Sequence, residues 1–267
     1  MRHNQKASDL TVHIVRQKDD PFLIKGYETL NTYFGGRNEM ETLDVIIARL
    51  DWDPAKKANG YGFYYEMAVI TDDAGNIACV GDYSVVLHYQ TVLDGGAAVV
   101  HLSHIWVDPE ARGAGIVDQY MNALTINAAR QSLAKAGLPE HAPITLAAEM
   151  EPYEAGNLET ITRLRRFFRA GLLMVDPVVA NYLQPDFRAP EEIDQSGGAV
   201  GLPLVLMLRR VDKETERTIP AAELRHIILA LYAMYAQTMR AQDMQVVYEA
   251  LSGHHDQSAT VALLNRI

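Results

Sequence analysis

Three runs of β-branched and aromatic residues follow one another through the first half of the chain: Phe63–Thr71, Ile77–His88 and Ala97–Val107. Such residues suit a pleated, half-buried surface. Asp72-Asp73-Ala74-Gly75-Asn76 between the first two reads as a hairpin turn, and Asp94-Gly95-Gly96 leads into the third. Thr11–Val15 alternates and predicts a strand ahead of them. Between that strand and the hairpin, Leu23, Tyr27 and Leu30, then Leu43, Ile46, Ile47 and Leu50, repeat at helical spacing, and Gly35-Gly36 splits them into two helices.

After Val107 the pattern alternates between helix and strand. Ile116, Tyr120, Met121, Leu124 and Ala128 mark a helix that ends near Gly137 with Pro139 beyond it, and Ile144–Met150 is a strand. Asn157 is a good N-cap for a helix with Leu158, Ile161, Leu164 and Phe168 as its stripe. Leu172–Val175 and Leu204–Leu208 predict two short strands, with a loop from Gln184 to Gly201 between them. Pro220 opens a broadly apolar helix, expected to be core or a dimer contact; a second helix covers Met244–Leu251, and Ser258 is expected to cap a short final one.

Composition narrows the function. With 34 acidic against 24 basic residues the net charge is −10, which argues against a nucleic-acid surface, since neutralising phosphates needs a basic face. The 48% apolar content excludes wholesale disorder. Cys79 is the sole cysteine, so an internal disulfide or CxxC site is impossible and a reducing, cytoplasmic setting is expected. The first twenty residues lack an apolar signal core, and Ile227–Ala236 is about half the length that spans a bilayer, so no membrane partner is expected. His254-His255 lacks nearby spacing for further ligands, so no metal site is expected there. Arg163, Arg165, Arg166 and Arg169 are expected to form a solvated, salt-bridged helix face.

The informative stretch is Val107-Asp108-Pro109-Glu110-Ala111-Arg112-Gly113-Ala114-Gly115-Ile116, which leads from a strand into a helix. The first turn of a helix offers unpaired N–H groups and partial positive charge. Gly113 and Gly115 leave room for a pyrophosphate to approach, and Arg112 adds a permanent cation. The spacing is neither Walker A nor GxGxxG. It resembles the Arg-x-x-Gly-x-Gly/Ala segment of the GCN5-related N-acetyltransferase (GNAT) superfamily, with Val117 in place of the usual sixth-position Gly or Ala.

The order of elements from Asp9 to Val211 also resembles a whole GNAT domain. The resemblance implies an α/β (α+β) fold, with a central mixed, mostly antiparallel sheet flanked by helices, and leaves 212–267 as a C-terminal helical extension. It implies acetyl-CoA as co-substrate, held by Trp106, Val107, Arg112, Gly113, Ala114, Gly115, Ile116, Val117 and Asn157. The pantetheine would lie between the splayed strands 97–107 and 144–150. Asn157 would touch it or serve as a plain N-cap.

For acid–base work, simple alternation sets His101, Ser103 and Ile105 on one strand face and His104 with Trp106 on the other. In the related arylalkylamine acetyltransferases two His residues at such a spacing act as base and shuttle; His101 matches one, and Ser103 stands at the other. Imidazole titrates near neutrality, which suits a base. Glu149 and Glu151 are alternative bases. The family's usual general-acid Tyr falls at Phe167, so Tyr182 or Tyr153 would have to fill that place. The implied activity is direct acetyl transfer to an amine of a small molecule or peptide, by a chain that could form a homodimer. A non-catalytic acyl-CoA-binding or protein-interaction module is the alternative, favoured by Phe167 and Val117.

Overall fold

A computed structural model describes residues 10–37, 39–89, 97–112, 115–154, 156–252 and 259–265. The turn at Asp94-Gly95-Gly96, Gly113-Ala114, His254-His255 and the cap at Ser258 lie outside the described residues.

Strand β1 (Leu10–Val15) precedes helices α1 (Leu23–Phe34) and α2 (Leu43–Arg49), with a 3-10 turn at Gly35–Arg37 where the glycines break the pattern. The long strands are β2 (Tyr61–Asp72), β3 (Ile77–His88) and β4 (Ala97–Val107). A helical run then opens as α3 (Ile116–Asp118), passes through a π-helical stretch (Gln119–Leu124) and continues as α4 (Thr125–Lys135). The π stretch seats the buried Tyr120 ring over Gly81, where a Cβ would stand 2.6 Å from the ring.

Next come β5 (Ile144–Met150), α5 (Leu158–Arg169), β6 (Leu173–Val175) and β7 (Leu183–Gln184). The segment expected as a loop, Gln184–Gly201, contains a short helix, α6 (Pro190–Gln195). Pro190 presets the first helical φ, and Glu191 and Glu192 sit in the favoured first turn. Strands β8 (Leu202–Pro203), β9 (Val205–Arg210) and β10 (Thr218–Pro220), helices α7 (Ala221–Tyr235) and α8 (Ala241–Ser252), and β11 (Thr260–Leu264) complete the fold. No described helix is long and apolar enough to cross a membrane.

Nine strands form one sheet in the order β1-β2-β3-β4-β5-β9-β6-β11-β10. β4–β5 is the parallel pair; the other neighbours are antiparallel. The fold is therefore mixed α/β with a mostly antiparallel sheet. The last fifty residues are not only helical: the expected final helix is instead β11, which pairs with β6 through Leu263↔Val175 and Leu264↔Met174. Five residues, four of them apolar, are too few for periodicity to separate strand from helix, and the open edge of β6 decides it. Helices α7 and α8 share one core with β4, β5 and β9, through Val99, Ala147, Leu206, Leu208, Ile228 and Leu231 among others.

One sheet face is covered by α1 and α2 at one end, packed on Tyr65, Met67 and Val80, and by α7 at the other. Helices α4 and α5 cover the opposite face through Ala129, Leu133 and Leu164. Residues that alternate toward α7 along β4 and β5 thus end up under two helices drawn from opposite ends of the chain.

Candidate active site

The parallel pairing of β4 and β5 runs from Ala98↔Ile144 to Leu102↔Ala148 and then stops. β4 continues to Val107 and β5 to Met150 with no further pair between them, so the two strands part at Ser103 and Glu149. Trp106 and Val107, both half-buried, lie on this unpaired stretch.

A β-bulge sits at the same place. Across β3, Tyr83 pairs with Leu102 and Asp82 with His104, which leaves Ser103 without an opposite residue. A bulge inverts the alternation beyond it. This corrects the simple expectation for the strand: His101, His104 and Trp106 share the face under α1, α2 and α7. Ring contacts of His101 with Tyr235, His104 with Phe34 and Trp106 with Tyr33 mark that face, whereas Ile105 and Val107 pack on the other.

Three residues expected to do acid–base work come together here. His101 Nε2 lies 3.3 Å from Glu149 Oε2, and the Tyr182 hydroxyl donates to Glu149 Oε1. Tyr235, which sequence reasoning did not single out, donates to Glu149 Oε2 at 2.9 Å and stands 3.2 Å from His101 Nε2. Ser103 Oγ is 3.0 Å from His101 Nδ1. His101, Tyr182 and Tyr235 are all buried. Burial alone would raise the Glu149 carboxyl, but hydrogen bonding and charge from His101, with the two tyrosine hydroxyls, outweigh it and hold the group below its usual range. Burial and the Glu149 charge push both tyrosine hydroxyls far up, so they remain protonated donors. Phe167 is half-buried core and Tyr153 is exposed. Glu151 is paired with Arg163 instead of entering the cluster.

A second buried network lies next to the first. His104 Nδ1 is 2.9 Å from Asp82 Oδ1, and His104 Nε2 is 2.6 Å from the Glu39 carbonyl oxygen. Both partners are acceptors and a neutral imidazole has one N–H, so this geometry calls for imidazolium. Burial opposes that charge, yet the Asp82 carboxylate and further acceptors win and lift His104 to about 9. The folded-state pKa thus lies above the unfolded value of ~6.5, so the associated stability is complete below ~6.5 and is lost as pH rises through about 9. Chemical denaturation across that interval is expected to show a larger loss for the native chain than for His104→Gln. Equal losses would mean that the ring is neutral.

The strand-to-helix motif follows the splayed stretch. The Asp108 carboxylate accepts from Glu110 N, and Arg112 is exposed, its Nε donating to the Val107 carbonyl at 3.3 Å. Gly115 has φ +74, with open space where a Cβ would stand. Ile116 is buried and Val117 exposed; Gly113 and Ala114 lie outside the described residues. Asn157 caps α5, its Oδ1 accepting from Glu159 N at 3.1 Å and Thr160 N at 3.3 Å. Cys79 is buried within the hairpin, and burial pushes its thiol up to about 12. Among the described residues no three His, Cys, Asp or Glu side chains are grouped to hold a metal ion.

No protein-family model matches this chain, and no curated protein does. Solved structures of spermidine N-acetyltransferase from Vibrio cholerae do. A complex of that enzyme with CoA and spermine is 14% identical, over 78% of this chain and 99% of that one, with a TM-score of 0.38. A point mutant is 16% identical over 78% and 96%, at 0.37, and a dodecameric form is 17% identical over 77% and 96%, at 0.35. The likeness is one of fold, and a distant one. What the site can do therefore rests on its own geometry.

Proposed function

We propose that the chain is an acyl-CoA-dependent N-acetyltransferase that moves an acetyl group from acetyl-CoA to an amine of a small molecule or peptide. The observation that carries this reading is the His101–Glu149–Tyr182–Tyr235 cluster, set where β4 and β5 part, on the strand that leads to Arg112. Acetyl-CoA suits that combination. Its pyrophosphate would meet Arg112 and the helix that starts at Ile116, where Gly115 leaves the backbone open. Its pantetheine would follow the unpaired edge near Trp106 and Val107, toward Asn157.

His101 is the base in this reading. The ionised Glu149 can only accept, so in the neutral ring Nε2 carries the one proton and Nδ1 is free to take another; the imidazolium so formed is the charge that Glu149 pairs with. The amine proton reaches Nδ1 through the Ser103 hydroxyl, 3.0 Å away. Tyr182 stands in for the tyrosine missing at Phe167; its single O–H is held by Glu149 and would turn from that carboxylate to the departing thiolate. The net charge of −10 also favours a cationic acceptor. A lone, buried Cys79 suits action in the cytoplasm.

Acetyl-CoA at ~100 times its Kd is expected to stabilise the fold by ~2.7 kcal/mol, read as a rise in melting temperature. A flat melting curve over that range would remove the CoA site.

A further inference from the structure

Ser103, His101 and Glu149 form a directed relay. Glu149 is fixed by the Tyr182 and Tyr235 hydroxyls, one on each carboxylate oxygen. It holds the Nε2 proton of His101, which turns the Nδ1 lone pair toward Ser103 Oγ at 3.0 Å. A hydroxyl on an imidazole lone pair, with a carboxylate orienting the far nitrogen, is the arrangement that activates serine as a nucleophile, whichever ring nitrogen faces it. His101 is buried, whereas Ser103 is half-buried. Ser103 is also the bulged residue of β4 and the first past the last parallel pair, so it stands at the mouth of the gap between the strands.

We propose that Ser103 is a nucleophile, and that the chain forms an acyl-serine from acyl thioesters and hydrolyses it when no amine is present. Ser103 Oγ attacks the thioester carbonyl carbon as its proton passes to His101 Nδ1. The tetrahedral adduct collapses, the C–S bond breaks, and the departing thiolate takes the proton from Nδ1. Water then attacks the serine ester, giving a proton to Nδ1; the C–O bond breaks and Ser103 Oγ recovers that proton. The net reaction is acyl thioester plus water to carboxylic acid plus thiol. CoA as the thiol carrier rests on the reading above, whereas the nucleophile rests on the relay alone.

Two probes separate these claims. The native chain is incubated with acetyl-CoA without amine, with thiol release and peptide-mapped mass as readouts, and separately with a fluorophosphonate. The expected result is one acetyl group on Ser103, amine-independent thiol release, and fluorophosphonate on the same residue. Both labels vanish in Ser103→Ala, and fluorophosphonate labelling slows by ~10²-fold or more in His101→Ala. A chain that acetylates an amine but takes neither label at Ser103 overturns the nucleophile and leaves the transferase. Fluorophosphonate on Ser103 without thiol release, amine or no amine, overturns the CoA reading and leaves the nucleophile. Acetyl or phosphonate carried by another residue instead of Ser103 also overturns the proposal.

Discussion

In His101→Ala, CoA thiol release in the presence of an amine acceptor is expected to fall by ~10²–10⁴-fold, the range supplied by a positioned acid–base group. The loss should appear in kcat more than in KM, because the buried ring lies under Tyr235 and Glu149 and not on the exposed turn at Arg112. His101→Ala also leaves Glu149 with its two tyrosine donors, so the carboxylate keeps partners and the fold should survive. Steady-state kinetics over several acetyl-CoA concentrations, with circular dichroism as a folding control, decide it. An unaltered kcat in a folded variant would remove His101 as the base.

The largest effect on stability is expected at Glu41. Arg49 of α2 is fully buried, and its Nη2 donates to Glu41 Oε1; its Nε and Nη1 have no hydrogen-bond partner among the described residues. Burial opposes the guanidinium charge, while Glu41 and the nearby Asp82 and tyrosines favour it and hold its pKa up, so Arg49 stays charged. Glu41→Ala removes the direct partner of a charge that water cannot reach. Breaking a buried pair in this way costs ~3–5 kcal/mol, read as a lower urea midpoint at unchanged slope. Apolar replacement of both members, Glu41→Leu with Arg49→Met, should recover most of the loss, because neither charge is then stranded. A single variant as stable as the native chain would mean that Arg49 is compensated by something other than Glu41.

His101 and Glu149 are legible from local signals, a strand histidine and a carboxylate at a strand end, whereas Tyr182 enters only as a substitute for the tyrosine that the resemblance places at Phe167. Tyr235 carried no such signal. It sits at the end of an apolar helix whose buried residues are otherwise core, and its partner His101 is 134 residues away. The bulge at Ser103 was equally silent. It is a matter of register between β3 and β4, and His101-Leu102-Ser103-His104 alternates as well without it.

From the chain alone came the long meander, the helix breaks at Gly35-Gly36 and the N-cap at Asn157. Periodicity, capping and turn chemistry are properties of residues a few positions apart. Only the tertiary structure decided that β11 is a strand, that His101 and His104 face the same way, and that the C-terminal segment completes the sheet and delivers Tyr235 to Glu149. Each of these depends on which edge is open and which charge lies buried beside it, and those are set by partners distant in sequence.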